Sequence, residues 1–136
     1  MEISLKIREF TIDDYDKAFV LWNYTDFTDT KSEIEKFLTR NSGLSFVAVN
    51  GDEVVGTLLC GHDGRIAHFY RVAVAESMRR KGIGKALVNA AVAALKKDGI
   101  GLVKLVVRNG NQGGSAFWEG LGFEYENEYS TRYCVI

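Results

Sequence analysis

Apolar and polar positions along this chain repeat with two different periods, and the period separates strand from helix. Ile3, Leu5 and Ile7 alternate with Ser4, Lys6 and Arg8, as in a half-buried strand. Ile12, Tyr15, Phe19 and Trp22 then recur at helical spacing behind Thr11 and Asp14, which read as a capping box. Thr30 with Glu33 starts a second short helix, with Ile34, Phe37 and Leu38 on one face. "LSFVAVNGDEVVGTLLCG" holds two strands around Asn50-Gly51, a dipeptide suited to a type I′ turn because both central residues there need positive φ. "HDGR" turns into the strand "IAHFYRVAVA". A helix from Gly82 places Ile83, Leu87, Ala90, Ala91 and Ala94 inward, with Lys96 and Lys97 in its last turn and Gly99 as its stop. "GLVKLVVRN" reads as a strand, "GSAFWEGL" as a short helix, and "FEYENEY" and "TRYCVI" as closing strands. The order β-α-α-β-β-β-α-β-α-β-β predicts an α/β chain of the mixed-sheet kind, with about seven mostly antiparallel strands and helices on both faces.

Composition narrows the class. A length of 136 residues points to one domain, residues 1–136, large enough to bury a core without a disulfide or metal staple. A net charge of −1 argues against nucleic-acid binding by bulk electrostatics, while leaving room for a local cationic patch. Cys60 and Cys134 form no ligand motif and read as reduced thiols in strands, which points to the cytoplasm. No leader-like start and no long apolar run is evident, so neither export nor a membrane span is expected. His62, ahead of Asp63 and Gly64 in a turn, implies no metal site, and none is expected elsewhere.

One stretch asks for a ligand. "VAVAESMRRKGIGKAL" makes a strand, a turn and a helix start, with Arg79, Arg80, Lys81 and Lys85 around Gly82, Ile83 and Gly84. Helix N-termini expose unpaired N–H groups and carry about half a positive charge, and glycines let an anion approach them. A pyrophosphate is the natural guest. The Walker pattern fails, because Ala86 follows Lys85, and the dinucleotide fingerprint fails at Leu87. The pattern [RQ]-x-x-G-x-[GA] is met by Arg79 to Gly84. Alone, the pattern is only moderately specific, and a cationic turn with a glycine cap is the other reading.

The segment is followed by "VRNGNQGGSAFWEGLGF". Together the two resemble the GNAT superfamily of N-acetyltransferases, which move an acetyl group from acetyl-CoA to an amine. Asn111, Phe117, Gly122 and Phe123 match the family's second signature in register, while Gly114 replaces its usual Ala and Trp118 its usual Tyr. "VNGDEVVGTLLCGHDG" further resembles small, YpeA-like bacterial members. The resemblance implies a sheet splayed between the strands ending at Val74 and Val107, with the pantetheine arm in the gap. It assigns the pyrophosphate to Arg79–Lys85 and the pantetheine amides to main-chain groups of Val72, Ala73 and Val74. It also brings Asn111, Phe117 and Trp118 to the cofactor and makes the Val74 N–H an oxyanion donor. Relatives of this kind are monomers or homodimers.

The chemistry then sets demands. An alkyl amine with pKa ~10.4 is only about one part in 10³ neutral near pH 7, so presenting the free base costs about 4–5 kcal/mol. The Glu that some relatives use is not evident; the equivalent positions fall near Tyr70 and Val106. His68 and Tyr70 share a strand face by alternation, and His68 is chemically the better base, with Tyr70 able to orient a water. Packing alone would also account for either residue. Trp118 can donate a hydrogen bond but cannot deliver a proton to the departing thiolate, so the thiolate leaves unassisted, or Tyr125, Tyr129 or Tyr133 reaches in, or transfer is slow. Trp22, Tyr24, Asp26, Phe27 and Asp29 mix aromatic and acidic groups that would suit a cationic amine, whether a small molecule or a peptide. The rival expectations are a CoA-binding sensor without turnover and a phosphate-binding protein of another fold.

Overall fold

The computed structural model describes residues 4–22 and 29–136. They contain five strands, β1 (Leu5–Glu9), β2 (Phe46–Asn50), β3 (Glu53–His62), β4 (Ala67–Val74) and β5 (Val103–Lys104). The helices are α1 (Tyr15–Leu21), α2 (Lys31–Arg40), α3 (Ile83–Lys97) and α4 (Gln112–Gly120). By backbone proximity the chain divides into two units, Met1–Leu105 and Val106–Ile136. The first holds the whole sheet, in the order β1-β2-β3-β4-β5, antiparallel through β4 and parallel between β4 and β5.

Adjacent residues of β3 show how the sheet is covered on both faces. A Cβ built on Gly56 would lie 3.0 Å from Ile83 Cγ2 and 3.1 Å from Leu87 Cδ1, so α3 seats directly on this backbone. The next residue, Thr57, points the other way and accepts the Trp22 indole N–H at 2.8 Å. Leu59 continues that second face and packs with Phe10, Tyr15, Ala18, Trp22, Ile34 and Val47. Strand alternation thus sends α3 to one side and α1 and α2 to the other.

Local signals hold up in detail. Thr11 N–H donates to Asp14 Oδ2 at 2.9 Å, and a 3₁₀ turn, Ile12–Asp14, leads into α1. At α2, Glu33 N–H donates to Thr30 Oγ1 and Thr30 N–H to Glu33 Oε1, the reciprocal pair of a capping box. Gly99, at φ 75°, ends α3 while Ile100 N–H reaches back to Leu95 C=O. The buried face of α3 is Ile83, Gly84, Leu87, Val88, Ala91 and Leu95. Ala90 and Ala94, expected inward, are half-buried at its flank.

Three expectations need correction. Asn50 belongs to β2 and pairs with Glu53, so the hairpin turn sits one residue later, with Gly51 supplying the positive φ of 61°. The strand expected over "GLVKLVVRN" is confined to Val103–Lys104. "FEYENEY" and "TRYCVI" are not strands among the described residues, so Cys134 is not in one either. Within Val106–Ile136, Tyr125, Tyr129 and Tyr133 are all strongly exposed. Alternation predicts which face a strand would bury, but a strand forms only where a partner ladder completes it.

Candidate active site

β4 is the spine of the site. Its register with β3 runs Gly56↔Val74 and Thr57↔Ala73, then resumes at Leu59↔Tyr70. Leu58 therefore faces two residues, Arg71 and Val72, which is a β-bulge, and Arg71 adopts φ 49° there. The bulge breaks strict alternation. Tyr70 reaches Phe37 of α2, and Ala73, an odd number of residues later, still packs into the cluster under α1 and α2. Val72 and Val74 are half-buried.

The same bulge settles where the main chain points. Ala75 N–H donates to Val55 C=O at 2.8 Å, so this residue faces β3. By the two-residue repeat, the N–H and C=O groups of Val74 face away from β3, and Val72, in the bulge, has no register partner on β3. The side away from β3 is where β5 pairs, but β5 matches only Ala67 with Val103 and His68 with Lys104. β4 runs on to Val74 beyond the end of β5 at Lys104. The strand edge beside Val72 and Val74 is thus the kind of template that an amide-bearing ligand extends.

Past Val74 the chain makes a 3₁₀ turn, Glu76–Met78, pinned by buried Met78. Arg79 Nε–H donates to Val74 C=O at 3.2 Å, so this cation braces the turn as well as adding charge. Arg80 adopts φ 64° and Gly82 φ 80°, two left-handed positions flanking Lys81. Gly82 is the N-cap of α3 and offers no side-chain acceptor. The N–H groups of the first turn, from Ile83 onward, have no intrahelical acceptor. Arg79, Arg80, Lys81 and Lys85 are exposed around them, while Ile83 and Gly84 are buried. A Cβ on Gly82 would meet nothing within 4 Å, so backbone conformation, not crowding, favours glycine there.

His68 and Tyr70 stack at 6.1 Å between ring centroids, on the face that alternation assigns them, and Tyr70 meets the Phe37 ring edge-on at 5.8 Å. Tyr70 is 48% exposed, and partial burial raises its phenol above the ordinary pKa, so it stays protonated through neutral pH. A strand rises about 3.3 Å per residue, so Val74 lies roughly 20 Å along β4 from His68 and Tyr70 roughly 7 Å from Val72. A base at His68 and an oxyanion donor at Val74 therefore do not serve one carbonyl.

Asn111, Phe117 and Trp118 belong to the unit Val106–Ile136. Asn111 is the N-cap of α4, its Oδ1 accepting the Gly114 N–H at 2.9 Å. A Cβ at Gly114 would fall 2.5 Å from Asn111 Nδ2, so a side chain there would require the Asn111 amide to shift. Trp118 is buried and packs edge-on with Phe117 and Phe123, each at 4.9 Å.

The expected acceptor residues divide. Trp22 is a core residue held by Thr57, and Asp29 binds Arg71 Nε at 2.8 Å, so neither is an open receptor for an amine. Tyr24, Asp26 and Phe27 lie outside the described residues. His62 accepts the Gly64 N–H on Nδ1 and meets Asp98 through Nε2, which makes it a turn anchor. Cys60 is buried beside it, its thiol pushed up to about 12 by burial and by Asp98. Sequence reading passed over Arg71. The available signal was a cation between Tyr70 and Val72 in an otherwise apolar run.

The sequence profile of the Acetyltransferase (GNAT) family matches residues 6–123. Acetyltransferase SG1711 from Sodalis glossinidius (strain morsitans) is 30% identical over 127 residues, which are 90% of this chain and 89% of the relative. Ard1 from Thermoplasma volcanium superposes with a TM-score of 0.82 at 24% identity, over 93% of this chain and 89% of its own. The PaiA N-acetyltransferase from Thermoplasma acidophilum, in complex with coenzyme A, superposes at 0.78 with 22% identity over 90% and 91%. An aminoglycoside acetyltransferase from an uncultured soil metagenomic sample, in complex with sisomicin, superposes at 0.77 with 21% identity over 97% and 96%.

Proposed function

Since this chain belongs to the GNAT acetyltransferase family, we propose that it transfers an acetyl group from acetyl-CoA to a primary amine, within one catalytic domain. The observation that carries the reading is the turn before α3: left-handed Arg80 and Gly82, free first-turn geometry and four exposed cations at one point. That arrangement suits a diphosphate, which would lie on main-chain N–H groups from Ile83 to Lys85, with Arg79, Arg80 and Lys81 around it. The pantetheine amides would pair with Val72 and Val74, and Asn111, Phe117 and Trp118 remain the proposed contacts from the second signature.

The bound cofactor supplies an acetyl thioester whose thiolate leaves readily. The chain must supply an oxyanion donor and a path for the amine proton. Val72 N–H is the main-chain donor nearer to Tyr70, about 7 Å along the strand, with His68 about 13 Å away. The Tyr70 hydroxyl holds a water beside the amine, and the proton passes through it to His68. Trp118, at the position where the family's second signature has Tyr, cannot deliver a proton to the thiolate. Among the described residues no helix is long and apolar enough to cross a membrane.

The test is thiol release from acetyl-CoA with a panel of primary amines, including aminoglycosides, polyamines and peptide N-termini, beside calorimetric titration of CoA. Micromolar CoA binding with thiol release that depends on the amine is the expected result. CoA binding without release from any amine would favour the sensor, and preference for ATP over CoA would remove both readings.

A further inference from the structure

We propose that Arg71 is a positioning residue whose side chain clasps Asp29 and Trp22, holding the β4 bulge in the turn that aims Val74 outward. The proposal rests on the acetyl-CoA reading above and deepens it. A long L side chain at φ 49° within a strand is disfavoured, and left to itself the backbone would relax toward ordinary β geometry. Relaxing the bulge would shift the following residues by one position against β3. The main-chain groups of Val74 would then turn from the open edge toward β3.

Restraints converge on this residue from both sides. Its Nε–H donates to Asp29 Oδ2 at 2.8 Å, and its guanidinium carbon lies 5.6 Å from the centroid of the Trp22 ring. Its carbonyl accepts the Thr57 hydroxyl at 2.7 Å, and that hydroxyl accepts the Trp22 indole N–H at 2.8 Å. Thr57 has one proton to give, so the direction of this relay is fixed. Tyr15 OH donates to Asp29 C=O at 2.6 Å and secures the far end. Arg71 and Asp29 side chains are 11% and 26% exposed, so their pairing is screened less than a pair on open surface. α1, β3, β4 and the residue before the α2 cap thus meet at Arg71, next to the strand edge that would carry the thioester arm.

The geometry makes an unusual ranking. At an ordinary strand position glycine is worse than alanine, whereas at positive φ the order reverses. The experiment measures calorimetric affinity for acetyl-CoA and for adenosine 3′-phosphate 5′-diphosphate, the nucleotide end without pantetheine. The proteins are wild type, Arg71→Ala, Arg71→Gly and the milder Asp29→Asn, with circular dichroism to follow folding. Arg71→Ala should weaken acetyl-CoA binding by about tenfold or more, and Arg71→Gly by only about threefold, because glycine enters the turn freely. Nucleotide affinity should stay within about twofold throughout, since that end uses the α3 start. Equal losses for Ala and Gly, a worse Gly, or nucleotide affinity falling in parallel would overturn the clasp while leaving the cofactor reading intact. A wild-type protein that binds neither compound would overturn both.

Discussion

At Gly82 one residue decides both a helix start and a ligand site, and the two roles can be separated. Its φ of 80° suits Gly, Asn and Asp, and a side chain there would meet open space. Asn and Asp are nearly isosteric, so Gly82→Asn and Gly82→Asp differ in charge alone. An aspartate at an N-cap favours the helix, so Gly82→Asp should unfold at no lower temperature than Gly82→Asn. Toward a diphosphate the sign reverses. Two unit charges about 5 Å apart repel by about 3 kcal/mol at an effective dielectric of 20, before salt screening. Gly82→Asp should therefore bind CoA at least about tenfold more weakly than Gly82→Asn while being as stable or more so. Titration calorimetry with thermal melts reads both quantities, and equal affinities would remove the phosphates from this turn. The motif was legible here because it is local. The left-handed Arg80 was not, since nothing in its chemistry marks it out from Arg79.

The seat of α3 on β3 explains how the helix start is held at the end of β4. Ile83, one residue past Gly82, and Leu87 press on the bare backbone of Gly56, and both are buried. Gly56→Ala would force them back by a few tenths of an ångström. The expected cost is about 1–3 kcal/mol by chemical denaturation, with Ile83→Val in the same chain recovering part of it. A Gly56→Ala protein as stable as wild type would show that the helix can float on the sheet. The elements themselves were readable to the extent that their causes lie within a few residues. Thr30 with Glu33 and Gly99 behind Lys97 fix the ends of α2 and α3 through bonds their own neighbours complete. The hairpin was found, but its turn slipped by one because Asn50 completes the ladder opposite Glu53 and accepts the Ser4 N–H on its side chain. The bulge at Arg71 and the short β5 escaped for the opposite reason: each is a property of register between distant segments, which no single window contains.

Charge is nearly balanced over the whole chain, so its response to acid rests on particular pairs rather than on net repulsion. Asp14 is the buried one. Burial pushes its carboxyl up, but the Arg8 hydrogen bonds and the Thr11 N–H outweigh burial and hold it below the usual carboxylate range. Arg8 grips it with two bonds, Nη1 to Oδ2 at 2.9 Å and Nη2 to Oδ1 at 2.7 Å, tying the edge strand β1 to the start of α1. A carboxyl with a depressed folded pKa stabilises the fold above its unfolded pKa of about 3.9, and that contribution fades as pH falls through the folded value. Stability should therefore drop on acidification below about pH 4. Arg8→Ala leaves the carboxylate buried and half-satisfied, and at pH 7 should cost about 1–2 kcal/mol once the partial exposure of the guanidinium is allowed for. As pH falls through the depressed folded value, Asp14 becomes protonated in wild type as it already is in the variant, so the gap between them should narrow. Urea unfolding of the two proteins at pH 7 and pH 3 measures it. A gap that stays constant across that range would mean the bidentate pair contributes packing from the arginine stem and no charge-dependent stability.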